Sequence, residues 1–325
     1  MSIAYTDKNY IYAVSRIRFA ELRLLKADTF ERLSAASDMK ECMSVLSEKG
    51  YDTASGDIDM VLTEERHRLW SLIGELVPDM SVFDVFRIQN DYDNLKAAIK
   101  ESVLDHEMKD IYTREAGLDP MLVRRAVRER NYRLLPDDMA REAEICHDIF
   151  LRTGDGQLCD VILDRAALKA MQKAAASTKE QVLGDYAELR AASADIKIAI
   201  RAADTGKDRD FISRALADCS LIDTDSLEKA ALSGRDAIYA YLANTDLSDA
   251  VPELKSSPAA FERWCDDMII RKVRSQLWNS FGLGPVAAYI IAKETEIKSV
   301  RILLTAKQNG FPMEMIRERM RETYV

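Results

Sequence analysis

One apolar helical face comes up three times at a fixed interval along this chain, and that restricts its fold more than any other feature. Val85, Ile88, Tyr92, Leu95 and Ile99 step by three and four residues, so they share one side of an α-helix. Adding 101 to each position gives Tyr186, Leu189, Ser193, Ile196 and Ile200, and adding it again gives Ala287, Ile290, Glu294, Ile297 and Arg301. The second copy keeps four of the five apolar positions and the third keeps three. At the centre, Asn94-Leu95-Lys96, Asp195-Ile196-Lys197 and Glu296-Ile297-Lys298 line up as a polar residue, a branched aliphatic and a lysine. A repeat of this length predicts three similar helical units. Leu95, Ile196 and Ile297 should be buried at equivalent positions, with the acids, amides and lysines around them facing elsewhere. Each long helix leads to a shorter basic helix, at 121–130, 211–216 and 313–320. The division expected from this pattern is 1–130, 131–225 and 226–325.

The rest of the chain also reads as helix. Only 12 Gly and 7 Pro are spread over 325 residues, and Val-Thr-Tyr alternation is rare, so the composition is all-α. A first helix is expected over 10–25, and Asp28 or Thr29 should cap a second. Ser37 or Asp38 should open a third, which ends at Gly50. A helix over 58–76 stops before Pro78. Pro120 and Pro136 stand where helices start. The stretch from Pro252 to Pro258 reads as a loop, and the final basic helix as running on to Val325.

A net charge of −9 and a pI near 5.1 argue against a nucleic-acid binder, which needs a basic face to displace counterions. The five cysteines (Cys42, Cys146, Cys159, Cys219, Cys265) are scattered and odd in number, as expected of reduced, mostly buried residues. The start is polar and tyrosine-rich, without the apolar stretch of a signal peptide. No window holds the roughly 18 apolar residues that span a bilayer. An acidic surface is repelled by anionic lipid, so direct lipid insertion is not expected.

Catalytic patterns are sparse. Nothing fits a phosphate-binding GxxxxGK[ST] loop or a GxSxG elbow, and Asp204-Thr205-Gly206-Lys207-Asp208 lacks the ligand spacing of a calcium loop. Glu64-x-x-His67 and Glu144-x-x-His147 each place a carboxylate and an imidazole one turn apart, and two such pairs can form a carboxylate-bridged di-iron site in a helical bundle. That alternative makes the chain an oxidoreductase. Both pairs stand among charged neighbours, where a bundle site would be flanked by apolar residues, so wet helix faces explain them better. A helical-repeat adaptor is a further alternative, but such repeats have units of about 34 to 47 residues. The residues therefore point to a structural or coupling part with no catalytic, cofactor-binding or metal-ligating set, and neither metal nor nucleotide is expected.

Three blocks carry a resemblance to a known family. Tyr10-Ile11-Tyr12-Ala13-Val14-Ser15-Arg16-Ile17-Arg18 with Leu24-Leu25 resembles the opening of the C subunit of V-type and A-type rotary ATPases, the counterpart of the eukaryotic d subunit. Asp91-Tyr92-Asp93-Asn94-Leu95-Lys96 is similar to that family's "DyhNlK" signature, with Asp93 where an aromatic or histidine is common. Lys293-Glu294-x-Glu296-Ile297-Lys298-x-x-Arg301, followed by Ile316-Arg317-Glu318-Arg319-Met320 and Tyr324-Val325, resembles its closing helices. The resemblance implies an all-α funnel of three similar helical subdomains with pseudo-threefold symmetry. It also implies a non-catalytic rotor subunit at the cytoplasmic face of a membrane, a socket between central-shaft subunits and the membrane proteolipid ring. On that expectation the basic helices carrying Arg124 and Arg125, Arg214, and Arg317, Arg319 and Arg321 are candidate ring- or shaft-facing surfaces.

Overall fold

A computed structural model describes residues 10–104 and 111–325. The polar start of the chain lies outside the described residues. Among those described the fold is all helical, with no β-strand and one isolated bridge between Cys219 and Ile222. Among the described residues no helix is long and apolar enough to cross a membrane.

In chain order the helices are α1 (Ile11–Glu21), α2 (Ala27–Ala35), α3 (Met39–Glu48), α4 (Ile58–Leu76), α5 (Ile88–Leu104), α6 (Pro120–Arg128), α7 (Asp137–Thr153) and α8 (Gly156–Thr178). They continue as α9 (Gln181–Thr205), α10 (Arg209–Ala215), α11 (Thr224–Ser233), α12 (Arg235–Leu242), α13 (Ala250–Ser256), α14 (Pro258–Val273), α15 (Gly284–Gln308) and α16 (Met313–Arg319). Local chemistry sets many of their ends. Asp38 caps α3 by accepting the Glu41 amide at 2.8 Å, Asp57 caps α4 through Met60, and Asp155 caps α8 through Leu158. Gly50 and Gly154 follow α3 and α7 at positive φ, a conformation that costs glycine little.

Five expectations are corrected. The first helix ends at Glu21, short of 25. The second starts at Ala27 with Lys26 at its N-cap and no side-chain cap, so Asp28 and Thr29 lie inside its first turn. The stretch from Pro252 is helical as α13, because a proline in a first turn forgoes an amide that would have no helical partner. The final helix stops at Arg319, with Met320 in an extended conformation, and the tail beyond it has no regular secondary structure. That tail is anchored where Asp267 accepts the Glu322 amide at 2.7 Å and Arg274 donates to the Thr323 carbonyl at 2.7 Å. Val85 belongs to a 3-10 helix, Met80–Phe86, that precedes α5.

The chain divides into two compact units. One consists of 1–80, 180–182 and 252–325 and is discontinuous in sequence. Its core closes Leu33, Leu46 and Leu62 from α2, α3 and α4 on Ile297, Val300, Leu303 and Leu304 of α15. The other consists of 81–179 and 183–251. One of its cores joins Tyr92, Leu95 and Ile99 of α5 to Val123 of α6, Cys146 of α7 and Leu163 of α8. Leu95, Ile196 and Ile297 are all fully buried, the first two in this unit and the third in the discontinuous one.

Candidate functional site

The polar residue beside each of those three aliphatics does not face solvent. Asn94, Asp195 and Glu296 are all buried, and each holds a backbone amide of another segment. Asn94 accepts from the Thr113 amide and donates to the Thr113 carbonyl, both at 2.9 Å. Asp195 accepts the Ala217 amide at 2.8 Å. Glu296 accepts the Leu25 amide at 2.5 Å. One helix position thus plays the same role three times, as a buried acceptor that pins an irregular segment to a long helix. Asp91 does likewise one turn earlier, accepting the Leu118 amide at 2.8 Å. Burial raises its carboxyl to about 6, against the pull of the Leu118 and Gly117 amides. Burial acts more strongly on Asp195, raising it to about 7.

The densest polar cluster surrounds Glu296. Lys293 of α15 places its ammonium 2.6 Å from Glu65 of α4 and 2.6 Å from Glu296. The Tyr51 hydroxyl donates to the same Glu296 oxygen at 2.6 Å, and the ammonium lies 4.7 Å from the centre of the Tyr51 ring. Burial alone would lower Lys293, but Glu296 and Glu65 hold it above the ordinary lysine range. Burial, reinforced by Glu296, pushes the Tyr51 phenol well up, and burial raises Tyr289 to about 12. Four segments of one unit meet here: the turn after α1, the turn after α3, α4 and α15. Beside it, Arg66 grips Glu294 at 3.0 and 3.1 Å. The network is suited to fixing helices: Lys293 is shared between Glu65 and Glu296, and both Glu296 oxygens accept hydrogen bonds, while the second Glu65 oxygen is buried without a hydrogen-bond partner. The void of about 10 Å³ next to Glu296 has room for about one water.

The sequence contains a signal for this cluster. Glu65 falls between Leu62 and Leu69, and Lys293 between Ile290 and Ile297, each at a step of three and four. A charge on an apolar stripe must be paired or pay heavily, so such positions mark buried networks.

The Glu-x-x-His pairs belong to different units. Glu64 and His67 are both exposed, and Arg68 lies 3.5 Å from Glu64. His147 is buried, with one ring nitrogen 2.5 Å from the Tyr132 hydroxyl and the other 3.4 Å from Ser102, whereas Glu144 is exposed. That imidazole is committed to packing, and burial lowers its pKa. No group of three or more His, Cys, Asp or Glu able to hold a metal ion occurs among the described residues. The five cysteines are free, with Cys219 half-buried and the others buried.

The candidate basic surfaces are largely committed as well. Arg124 forms a bidentate pair with buried Glu101 at 2.8 and 2.9 Å, and Arg321 is buried against Asp266 at 2.9 Å. Arg214 bridges to Asp210 one turn back at 2.8 Å, and Arg317 to Glu31 at 3.1 Å. Arg125 and Arg319 are exposed.

Comparison with known proteins gives a consistent result. Residues 13–319 match the family described as ATP synthase (C/AC39) subunit. The C subunit of the V-type sodium ATPase of Enterococcus hirae is 24% identical over an alignment of 330 positions, spanning 95% of this chain and 97% of that one. The C subunit of the A-type ATP synthase of Methanobrevibacter smithii is 22% identical over 290 positions, 80% of this chain and 74% of the relative. The same component of the Methanothermobacter thermautotrophicus enzyme is 28% identical over 172 positions, 49% and 45% of the two chains.

Proposed function

The chain belongs to the ATP synthase (C/AC39) subunit family, and from that premise we propose that it is the non-catalytic rotor piece joining the central shaft of a V/A-type rotary ATPase to its membrane proteolipid ring. The match across residues 13–319 carries this reading. Attachment to the membrane is indirect, at its cytoplasmic face, through the ring and the complex. Three subdomains at 1–130, 131–225 and 226–325, built on α5, α9 and α15, form the working division of the chain. A part that transmits torque must not yield to it. Buried acceptors that pin irregular segments, and an ion network that ties α4 to α15, support that role because they stiffen the chain where it would otherwise bend.

The test is deletion and rescue in the native cell. Without the chain, membranes should lose ATP-driven ion uptake, while the catalytic head retains ATP hydrolysis. An affinity tag on the chain should bring down shaft and ring subunits in mild detergent. Ion uptake that persists without the chain overturns the proposal.

A further inference from the structure

The first helix turns an unusual face outward. Tyr12 and Phe19 of α1 and Leu22 just beyond its end are 64%, 61% and 75% exposed, and at steps of three and four they continue one side with Arg16 and Arg23. The only acid in α1 is Glu21, which is buried and paired with Arg18 at 2.7 Å. Arg18, at the edge of this face and one turn from Leu22, also donates to the Gln276 carbonyl at 2.6 Å and the Asn279 carbonyl at 2.5 Å. It thereby fixes the segment that carries Trp278, 88% exposed, and Phe281, 56% exposed. That segment, 274–281, contains no acid. A chain of net charge −9 thus exposes aromatic and aliphatic side chains beside arginines on α1, with no exposed carboxylate in that helix, and Arg18 ties to it the segment of Trp278, whose first residue Arg274 pairs with Glu322.

We infer that α1 and the Trp278 segment form a docking surface for a partner polypeptide of the rotary complex that presents carboxylates among apolar side chains. The inference rests on the rotary reading above and adds the surface and the chemistry it recognises. Trp, Tyr and Arg are the residues that dominate binding energy at protein interfaces, and an exposed apolar cluster of this kind marks an interaction site. The surface is held ready before it binds. Arg16 lies 5.8 Å from the Tyr12 ring centre and bonds its hydroxyl at 2.9 Å, and Arg23 lies 5.4 Å from the Phe19 ring centre. Side chains fixed in advance lose less entropy on association. Each guanidinium keeps donors for a carboxylate while it rests on a ring.

A lipid surface fits less well. An interfacial membrane helix segregates its apolar face from its charged one, whereas here rings and guanidinium groups alternate on the same face. The acidic remainder of the chain is repelled by anionic headgroups.

The experiment uses the intact rotary complex purified from cells carrying the full chain. Three forms are compared: wild type, Arg16→Glu with Arg23→Glu, and Trp278→Ala. Because these side chains are exposed, helical circular dichroism of each isolated chain should match wild type. The fraction of chain retained is followed through washes of increasing salt. We expect both variants to dissociate at least tenfold faster than wild type, the wild-type contact to weaken with salt, and a photo-crosslinker replacing Phe19 to label an acid-bearing segment of another subunit. Retention of both variants at the wild-type level overturns the inference and leaves the rotary reading intact. So does labelling of lipid alone, or wild-type flotation with phosphatidylglycerol vesicles that is lost in the charge-reversed form. Absence of the wild-type chain from the complex overturns the rotary reading, and the surface loses its partner with it.

Discussion

A lysine buried between two carboxylates is held by attraction that must exceed the cost of removing all three from water. Removing only the cation is therefore worse than removing the pair. Lys293→Met should leave Glu65 and Glu296 facing each other in a dry core and lower the unfolding free energy by about 3–5 kcal/mol, read from urea denaturation. Adding Glu65→Leu should restore part of that loss, since Glu296 keeps the Tyr51 hydroxyl and the Leu25 amide. Asp195 permits a second test, because its carboxyl rises from 3.8 to about 7 on folding. Between those values the folded chain holds a proton that the unfolded chain has released. Its contribution to stability must then fall as pH rises from about 4 to about 7 and stay flat above. Asp218 adds to the rise, and Arg165 and Lys169 oppose it. The first long helix uses Asn94 at the matching position, so Asp195→Asn should fold. Its amide oxygen can still accept the Ala217 amide. The variant should lack this pH-dependent term and be more stable than wild type at pH 8 by about 1–3 kcal/mol, because no charge is buried. Equal urea midpoints for the two proteins across pH 4–8 would contradict the assignment.

Short helices depend on their ends, having few turns over which to spread the cost of starting. In α10, seven residues long, Asp208 accepts the Phe211 amide at 2.9 Å, and Asp208→Ala should cost about 0.5–2 kcal/mol in urea denaturation. The mutation Asp246→Ala, at an exposed position outside any helix, serves as the comparison. Capping chemistry is local, and so it could be read in advance: Asp38, Gly50, Pro120 and the whole span Ile58–Leu76 were all legible from neighbouring residues. The irregular tail was not. Met320, Arg321 and Glu322 are good helix formers, but the backbone of the tail is claimed by Asp267 and Arg274, which lie about fifty positions away in sequence. The same limit applied to Asn94, Asp195 and Glu296. Their triplicate spacing was visible, but the amides they bind lie 19, 22 and 271 positions away, so their burial could not be read from the helix alone. The outward face of α1 could not be told from its buried face in advance, since only structure shows which apolar residues are left uncovered.

At the scale of the whole chain, the two units make opposite demands on continuity. The unit spanning 81–179 and 183–251 draws on nearly unbroken sequence and encloses a core of its own around Leu95, Cys146 and Leu163. The other borrows one wall from each end of the chain. Leu33, Leu46 and Leu62 pack against Ile297, Val300, Leu303 and Leu304, and Glu65 of the first segment meets Lys293 of the last. A fragment of residues 10–80 would therefore expose several fully buried aliphatics, each worth about 1.5–3 kcal/mol on burial, and strand Glu65 without its cation. Expressed alone, 81–251 should melt cooperatively with a helical circular dichroism spectrum, while 10–80 alone should show no cooperative transition. Mixing 10–80 with 252–325 should restore helicity and a transition, because the missing wall and the lysine arrive together. A mixture carrying Lys293→Met should recover less. If 10–80 folds cooperatively by itself, α15 is not a structural wall of that core.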